Sequence, residues 1–351
     1  MLNILYATTS TSLSGGTRQL INNAIGLAKA GHRITVCCFA GASLIQEVTG
    51  RENLTVSIIE QNSLRGRLSF FRNLLVTRNI QVVHCFHNKL YKYFLFLRFL
   101  CPPFKLFLNR GVIFAPGSFP LFYLPQLTGI ICNSGAAADV LRKYHVSSKK
   151  LHVVYNAVIP PARPALDTQT KKQALTILYI GNKQPYKGLD IFLQTVEVLI
   201  DSGLKDVHFI VAGIKQKREF EKIISPALLN RIEFKGALPH DKLFELLCRT
   251  DIFVITSRQE SLPNTLIEAY AAGIPVVSTT AGGIPEILKE GENGFLCPVN
   301  EIECLADRII QLVNTPDIRH TISYNNKKSF REIFSLDAKI NNLLHIYTNN
   351  K

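Results

Sequence analysis

Short, nearly unbroken apolar runs at 2 to 7, 34 to 39, 54 to 59, 80 to 86 and 129 to 132 alternate with stretches of helical spacing such as Leu20, Ile21, Ala24, Ile25, Leu27 and Ala28. A continuous apolar run suits a strand buried on both faces, and the 3.6-residue spacing suits a helix lying on one of them. Strand and helix repeated in this way predict a parallel sheet covered on both sides. The second half repeats the pattern, with strands expected near 175 to 180, 207 to 212, 231 to 235, 251 to 256 and 275 to 279. The chain therefore reads as α/β, with two Rossmann-like, doubly wound domains. Between them Pro160, Pro161 and Pro164 forbid a regular helix and mark a linker. The boundary is expected at 164/165, giving a domain of residues 1–164 and a domain of residues 165–351.

The most informative stretch runs from Ser257 to Glu286 and carries two carboxylates, Glu260 and Glu268, with seven residues between them. Ser261 is a candidate N-cap, Pro263 suits the first helical turn, and Gly273 followed by Pro275 closes the helix. Glu260 then lies in the loop and Glu268 inside the helix. Backbone groups around Ser261, Leu262, Pro263 and Asn264 would open onto the helix start, where the dipole favours an anion such as a diphosphate. Carboxylates only accept hydrogen bonds, so their neutral partners there would be hydroxyls: one carboxylate for a transferred sugar and one for a ribose. That describes a nucleotide-sugar site. The plainer alternative is an amphipathic helix with one exposed glutamate at each end.

The run Ser-x-x-Glu-x-Leu-Pro-Asn-x-x-x-Glu-Ala-x-Ala-x-Gly-x-Pro-Val-Val, followed by Gly-Gly-Ile-Pro-Glu, resembles the signature of retaining glycosyltransferases of family 4. Ile177 to Gly181, Lys187-Gly188, Val211-Ala212-Gly213, Phe234 to Gly236 and Asp251 to Thr256 follow the family order. The resemblance covers nearly the whole chain and is weaker before residue 150. It implies a GT-B fold, two Rossmann-like domains facing a cleft, with the last helix crossing back to the first domain. It also implies a metal-independent, retaining transfer from a UDP- or GDP-sugar. Lys187 would neutralise the departing diphosphate, Glu268 would hold the ribose and Glu260 would orient the sugar. Gly282, Gly283 and Glu286 would shape the donor pocket.

The family usually places an arginine before this lysine, whereas this chain has Asn182, Lys183 and Gln184 there. Lys183 is the candidate substitute, as a point charge without the arginine fork. Gly15 and Gly16, before a helix expected to begin near Thr17, let amides approach a phosphate without a β-carbon in the way. No Gly-x-Gly-x-x-Gly fingerprint accompanies them, which argues against a nicotinamide dehydrogenase. His84 fits the family's sugar-contacting histidine pattern with the spacing altered by one, and His87 is the second candidate. Arg110 is a candidate on the acceptor side. No Asp-x-Asp or histidine–cysteine spacing points to a metal.

The net charge of +14 is unevenly placed. Residues 1 to 164 hold 18 Lys and Arg against four acids, while residues 165 to 351 hold 22 against 22. A basic half beside a neutral half implies an anionic partner: membrane headgroups, a phosphorylated acceptor or nucleic acid. No nucleic-acid module supports the last of these. The eight cysteines show no Cys-x-x-Cys pair, and those at 37, 38, 85, 132 and 297 fall in apolar runs, so they read as buried free thiols of a reducing cytoplasm. Cys37 and Cys38 would face opposite ways. Met1 to Ala7 reads as a strand rather than a signal peptide. Leu90 to Leu108 is interrupted by Lys92, Arg98, Pro102, Pro103 and Lys105, so it is not a spanning helix; it reads either as a segment dipping into a bilayer surface or as a buried helix.

Together these features predict a glycosyltransferase with a nucleotide-sugar donor and a saccharide or lipid-linked acceptor. It would lie on the inner face of the plasma membrane, on an anionic surface, in bacterial surface polysaccharide assembly. A nucleotide-sugar epimerase of the same architecture and a non-catalytic saccharide- or membrane-binding relative are the alternatives.

Overall fold

The computed structural model describes residues 1–60, 63–87, 89–117, 126–161, 174–215 and 224–349. The chain divides into two compact units, Met1–Ile159 with Phe334–Lys351, and Pro160–Ile333. The expected boundary at 164/165 lies outside the described residues.

The first unit is built on strands β1 (Asn3–Ala7), β2 (Arg33–Cys38), β3 (Leu54–Ile58), β4 (Val82–Cys85), β5 (Lys105–Arg110), β6 (Gly129–Cys132) and β7 (Leu151–Val153). They form one parallel sheet in the order β3-β2-β1-β4-β5-β6-β7. The order reverses between β1 and β4, and the crevice outside the carboxyl ends of two such strands is where open α/β sheets bind ligands.

Alternation along β1 sends Ile4 and Tyr6 to one face and Leu5 and Ala7 to the other, and all four are fully buried. Cys37 and Cys38 likewise enter different cores, as their adjacency in a strand requires. One face packs against helix Gly15–Lys29, through Leu20, Ala24 and Leu27, and against the C-terminal helix Leu336–Asn349, through Ile340, Leu343 and Tyr347. The other packs against helices Leu64–Thr77, Tyr91–Leu97 and Gly135–Lys143. Lys105 Nζ donates to the carbonyls of Tyr347 and Thr348 at 2.9 and 2.8 Å. A cation satisfying the last carbonyls fixes the C-terminal helix end.

The Leu90–Leu108 stretch resolves into two elements. Helix Tyr91–Leu97 buries Tyr91, Phe94 and Leu97, and β5 follows at Lys105. Its outer edge, with Phe96, Phe99 and Leu100, is exposed. No helix among the described residues is long and apolar enough to cross a membrane.

The second unit carries β8 (Leu175–Ile180), β9 (Val207–Ala212), β10 (Ile232–Gly236), β11 (Ile252–Ile255), β12 (Val276–Thr279) and β13 (Phe295–Cys297), parallel in the order β10-β9-β8-β11-β12-β13. Helices Leu189–Asp201 and Ile302–Asn314 cover one face through Phe192, Val196, Leu199, Leu305, Ile309 and Leu312. The order reverses between β8 and β11. Cys297, expected as a free thiol, is instead joined to Cys304 by a disulfide. The pairing was invisible in the sequence because it depends on how helix Ile302–Asn314 returns over the end of β13.

Candidate functional site

The loops leaving β8 and β11 converge at the reversal point of the second sheet. After β8 the chain makes a single 3-10 turn, Pro185–Lys187, and then enters helix Leu189–Asp201 through Gly188 in the left-handed region at φ 67°. That residue lies against the end of β11: Thr256 Oγ1 donates to the Gly188 carbonyl at 2.6 Å, and Tyr179 OH donates to the Lys187 carbonyl at 3.1 Å. A β-carbon at residue 188 would stand 1.9 Å from the Thr256 carbonyl oxygen, so only glycine permits this approach.

The consequence is that Lys187 reaches across to Glu260, 73 residues away in sequence, and its Nζ is ion-paired with Glu260 Oε1. Ser257 Oγ donates to the same oxygen at 3.1 Å. Both side chains keep some exposure, 26% for Lys187 and 11% for Glu260. The pair therefore borders solvent and can exchange partners with an incoming ligand.

Arg258, which the sequence reading passed over, ties this loop down. Its guanidinium makes a bidentate pair with Asp190 at 2.8 and 2.6 Å and donates to the Pro185 carbonyl at 2.9 Å. The Arg258 hydrogen bonds hold the Asp190 carboxyl below its usual range, against the opposing effect of burial. The fork is thus already engaged with Asp190.

Glu268 lies on helix Asn264–Ala272 as expected, only 5% exposed. His240, at the start of helix His240–Cys248, places Nε2 3.0 Å from Glu268 Oε1. An ionised carboxylate only accepts, so Nε2 supplies the hydrogen. The sequence offered a weak signal, a histidine just after Pro239, with nothing to connect it to a residue 28 positions on.

The helix start differs from expectation. Pro263 occupies the N-cap position, and Ser261, the expected cap, lies two residues earlier and is buried. The loop is held from outside: the Gly283 amide donates to the carbonyls of Ser261 and Glu260 at 3.1 and 3.4 Å. Leu262 is buried and Asn264 is half-buried at the first helical position. Gly273 closes the helix at φ 75°, as expected. Lys183 is exposed in the loop after β8.

In the first unit, Gly15 and Gly16 are exposed and form the first turn of their helix, two residues earlier than expected, with Ser14 as N-cap accepting from the Thr17 amide. His84 is fully buried in β4, beside Tyr6 of β1. Its Nδ1 lies 2.6 Å from Tyr347 OH, which lies 3.1 Å from Tyr6 OH, and its ring stacks on Phe86. Burial drives its pKa down to about 3, with Lys339 adding repulsion, so the ring is neutral. It offers no exposed surface to a ligand, which is the correction to its expected sugar contact. His87 is half-buried after the end of β4, its Nδ1 3.4 Å from the Lys89 amide, and burial and Lys89 lower its pKa. Arg110, at the end of β5, is buried; it donates to the Phe114 carbonyl, and its Nε has no hydrogen-bond partner among the described residues. Among the described residues no cluster of three His, Cys, Asp or Glu side chains is placed to hold a metal ion.

Two family models match the chain, one described as Glycosyltransferase Family 4 over residues 13–160 and one as glycosyl transferases group 1 over residues 166–329. The chain belongs to the group 1/family 4 glycosyltransferases. It is similar to the GPI3 subunit of phosphatidylinositol N-acetylglucosaminyltransferase from Saccharomyces cerevisiae, 32% identical over 176 residues, which are 48% of this chain and 39% of the yeast protein. It is also similar to N-acetyl-alpha-D-glucosaminyl L-malate synthase of Bacillus anthracis, 32% identical over 57% of this chain and 54% of that protein. These matches span about two fifths to a half of the relatives' own lengths. Anabaena Alr3699/HepE, solved in complex with UDP, superimposes with a TM-score of 0.82 at 20% identity, covering 98% of this chain and 99% of that one. The two parallel-sheet domains are therefore of the GT-B kind.

Proposed function

We propose that the second unit binds a nucleotide sugar and that the protein transfers its sugar, with retained anomeric configuration, to a lipid-linked or saccharide acceptor at the cytoplasmic face of the membrane. The assembly of bacterial surface polysaccharide is the setting this reading favours. The observation that carries it is the convergence of Lys187 and Glu260 at the carboxyl ends of β8 and β11.

In this reading the donor diphosphate takes Lys187 from Glu260. The released carboxylate accepts from a hydroxyl of the sugar, while Glu268, oriented by His240, accepts from the ribose. As the bond to the sugar breaks, negative charge grows on the diphosphate, and Lys187 is already in place to stabilise it. Binding and leaving-group stabilisation thus use the same ammonium. The relatives' names put N-acetylglucosamine nucleotides first among donors to try, and the yeast relative's name supports a lipid as acceptor.

The test is donor binding by calorimetry and thermal shift against UDP-, GDP- and ADP-sugars, with wild type and Glu268→Ala compared. One preferred nucleotide sugar, lost in the variant, is the expected result. No binding by any of them would overturn the reading and favour a non-catalytic relative of the same fold.

A further inference from the structure

We propose that the corner of the first unit where helix Leu64–Thr77 begins and helix Tyr91–Leu97 ends is the surface that docks this protein on an anionic lipid bilayer. This deepens the membrane-face reading above by assigning its contact surface, and it rests on that reading only for the choice of setting.

Four large apolar side chains are turned to solvent there: Leu64 at 63%, Phe96 at 54%, Phe99 at 84% and Leu100 at 53% exposed. Exposed apolar residues scattered singly need no explanation, but a contiguous group marks an interaction surface. Leu64, Phe96 and Phe99 also line one groove of about 580 Å³, with Lys92 and Gln126 at its polar edge.

Charge selects the partner. Between Glu60 and Asp139 the sequence contains no acidic residue and nine Lys and Arg. Several of them belong to this corner. Arg65 follows Leu64, Lys92 lines the groove, and Arg98 stands beside Phe99 and donates to the Gln126 carbonyl at 2.6 Å. Lys150 joins them by donating to the Leu127 carbonyl at 3.0 Å, and its pKa is lowered by burial and by the charge of Arg98. A protein surface of mixed charge would be met by cations and anions together. A surface of cations around projecting aromatic and aliphatic side chains instead fits phosphate headgroups above an acyl layer, into which such side chains dip by about 5–10 Å.

The chain contains no tryptophan, so Phe99→Trp introduces a single fluorescent reporter at the tip of the patch. The vesicles are phosphatidylcholine alone, or equal parts phosphatidylcholine and phosphatidylglycerol. The emission is expected to shift to the blue with the mixed vesicles at low salt, not with phosphatidylcholine alone, and the shift should diminish at high salt. Tyr324→Trp, on the second unit and 71% exposed, is the control expected to stay unshifted. In co-sedimentation with the same mixed vesicles, Phe99→Glu with Leu100→Glu should weaken binding by about tenfold or more. Both positions are exposed, so folding and nucleotide-sugar binding should be unchanged.

No blue shift with either vesicle, equal shifts with both, or undiminished pelleting of the double variant would each overturn the proposal. The first of these, with donor binding intact, would assign the patch to a protein partner and leave the transferase reading standing. Vesicle binding without donor binding would do the reverse.

Discussion

Gly188→Ala tests whether the loop carrying Lys187 is held by one backbone contact. The left-handed backbone at residue 188 costs an alanine about 1–2 kcal/mol. The new β-carbon would also meet the Thr256 carbonyl oxygen at 1.9 Å, and that oxygen belongs to the backbone that ends β11, so it cannot rotate away. Relieving such overpacking adds about 1–3 kcal/mol. The total is roughly 2–5 kcal/mol, a large fraction of the stability of an ordinary domain.

Gly203→Ala isolates the first effect. Its φ of 83° is also left-handed, it belongs to the same unit, and no atom lies within 4 Å of the β-carbon it would gain. Urea unfolding of both variants, followed by circular dichroism, should give Gly188→Ala a loss larger by about 1–3 kcal/mol. At a slope of about 1–3 kcal/mol per molar urea this separates the midpoints by about 1 M. Calorimetry with the preferred donor should show weaker binding by Gly188→Ala alone, because the shift that relieves the clash moves Lys187. Equal midpoints would refute the steric argument, and unchanged donor affinity in a destabilised Gly188→Ala would refute the link to the site.

Two other outcomes follow from the geometry. His240→Ala should raise the donor dissociation constant about tenfold, by leaving the buried Glu268 carboxylate without this donor, whereas His240→Gln, which can still donate, should recover part of the loss; calorimetry reading the two alike would count against the role given to His240. Lys339 is buried, and burial lowers its pKa to about 7 from an unfolded value of about 10.4. Between those values the unfolded chain binds more protons than the folded one, so this residue makes stability rise with pH. Its cost is fully present below pH about 7 and gone above about 10.4. Lys339→Met should flatten that rise in thermal midpoints measured across the window, and an unchanged slope would show that Lys339 is not its source.

The sequence determined the sheets, because a strand buried on both faces must be an apolar run and a covering helix must repeat its apolar positions. It therefore gave away β1 to β4 and β6, the strands β8 to β12 and the division of Cys37 from Cys38. It also placed Glu268 inside a helix and Glu260 in the loop before it, since Gly273 and Pro263 punctuate that segment whatever surrounds it. The caps were less legible. Ser261 had the right chemistry for a cap, but the N-cap position falls at Pro263, and the carbonyls of Ser261 and Glu260 are held by the amide of Gly283, from a loop over twenty residues further on.

Only the tertiary structure could decide the pairings between distant residues. Lys187 meets Glu260, and His240 meets Glu268, because parallel strands deliver their loops to the same edge of the sheet. Arg258 is spent on Asp190 for the same reason, whereas Cys297 finds Cys304, seven residues on, because helix Ile302–Asn314 returns over the end of β13. His84 had the polarity of a site residue and the position of a core one. Position prevailed because Tyr6, Phe86 and Tyr347 close around it, and Tyr347 lies 263 residues away, beyond the reach of any local pattern.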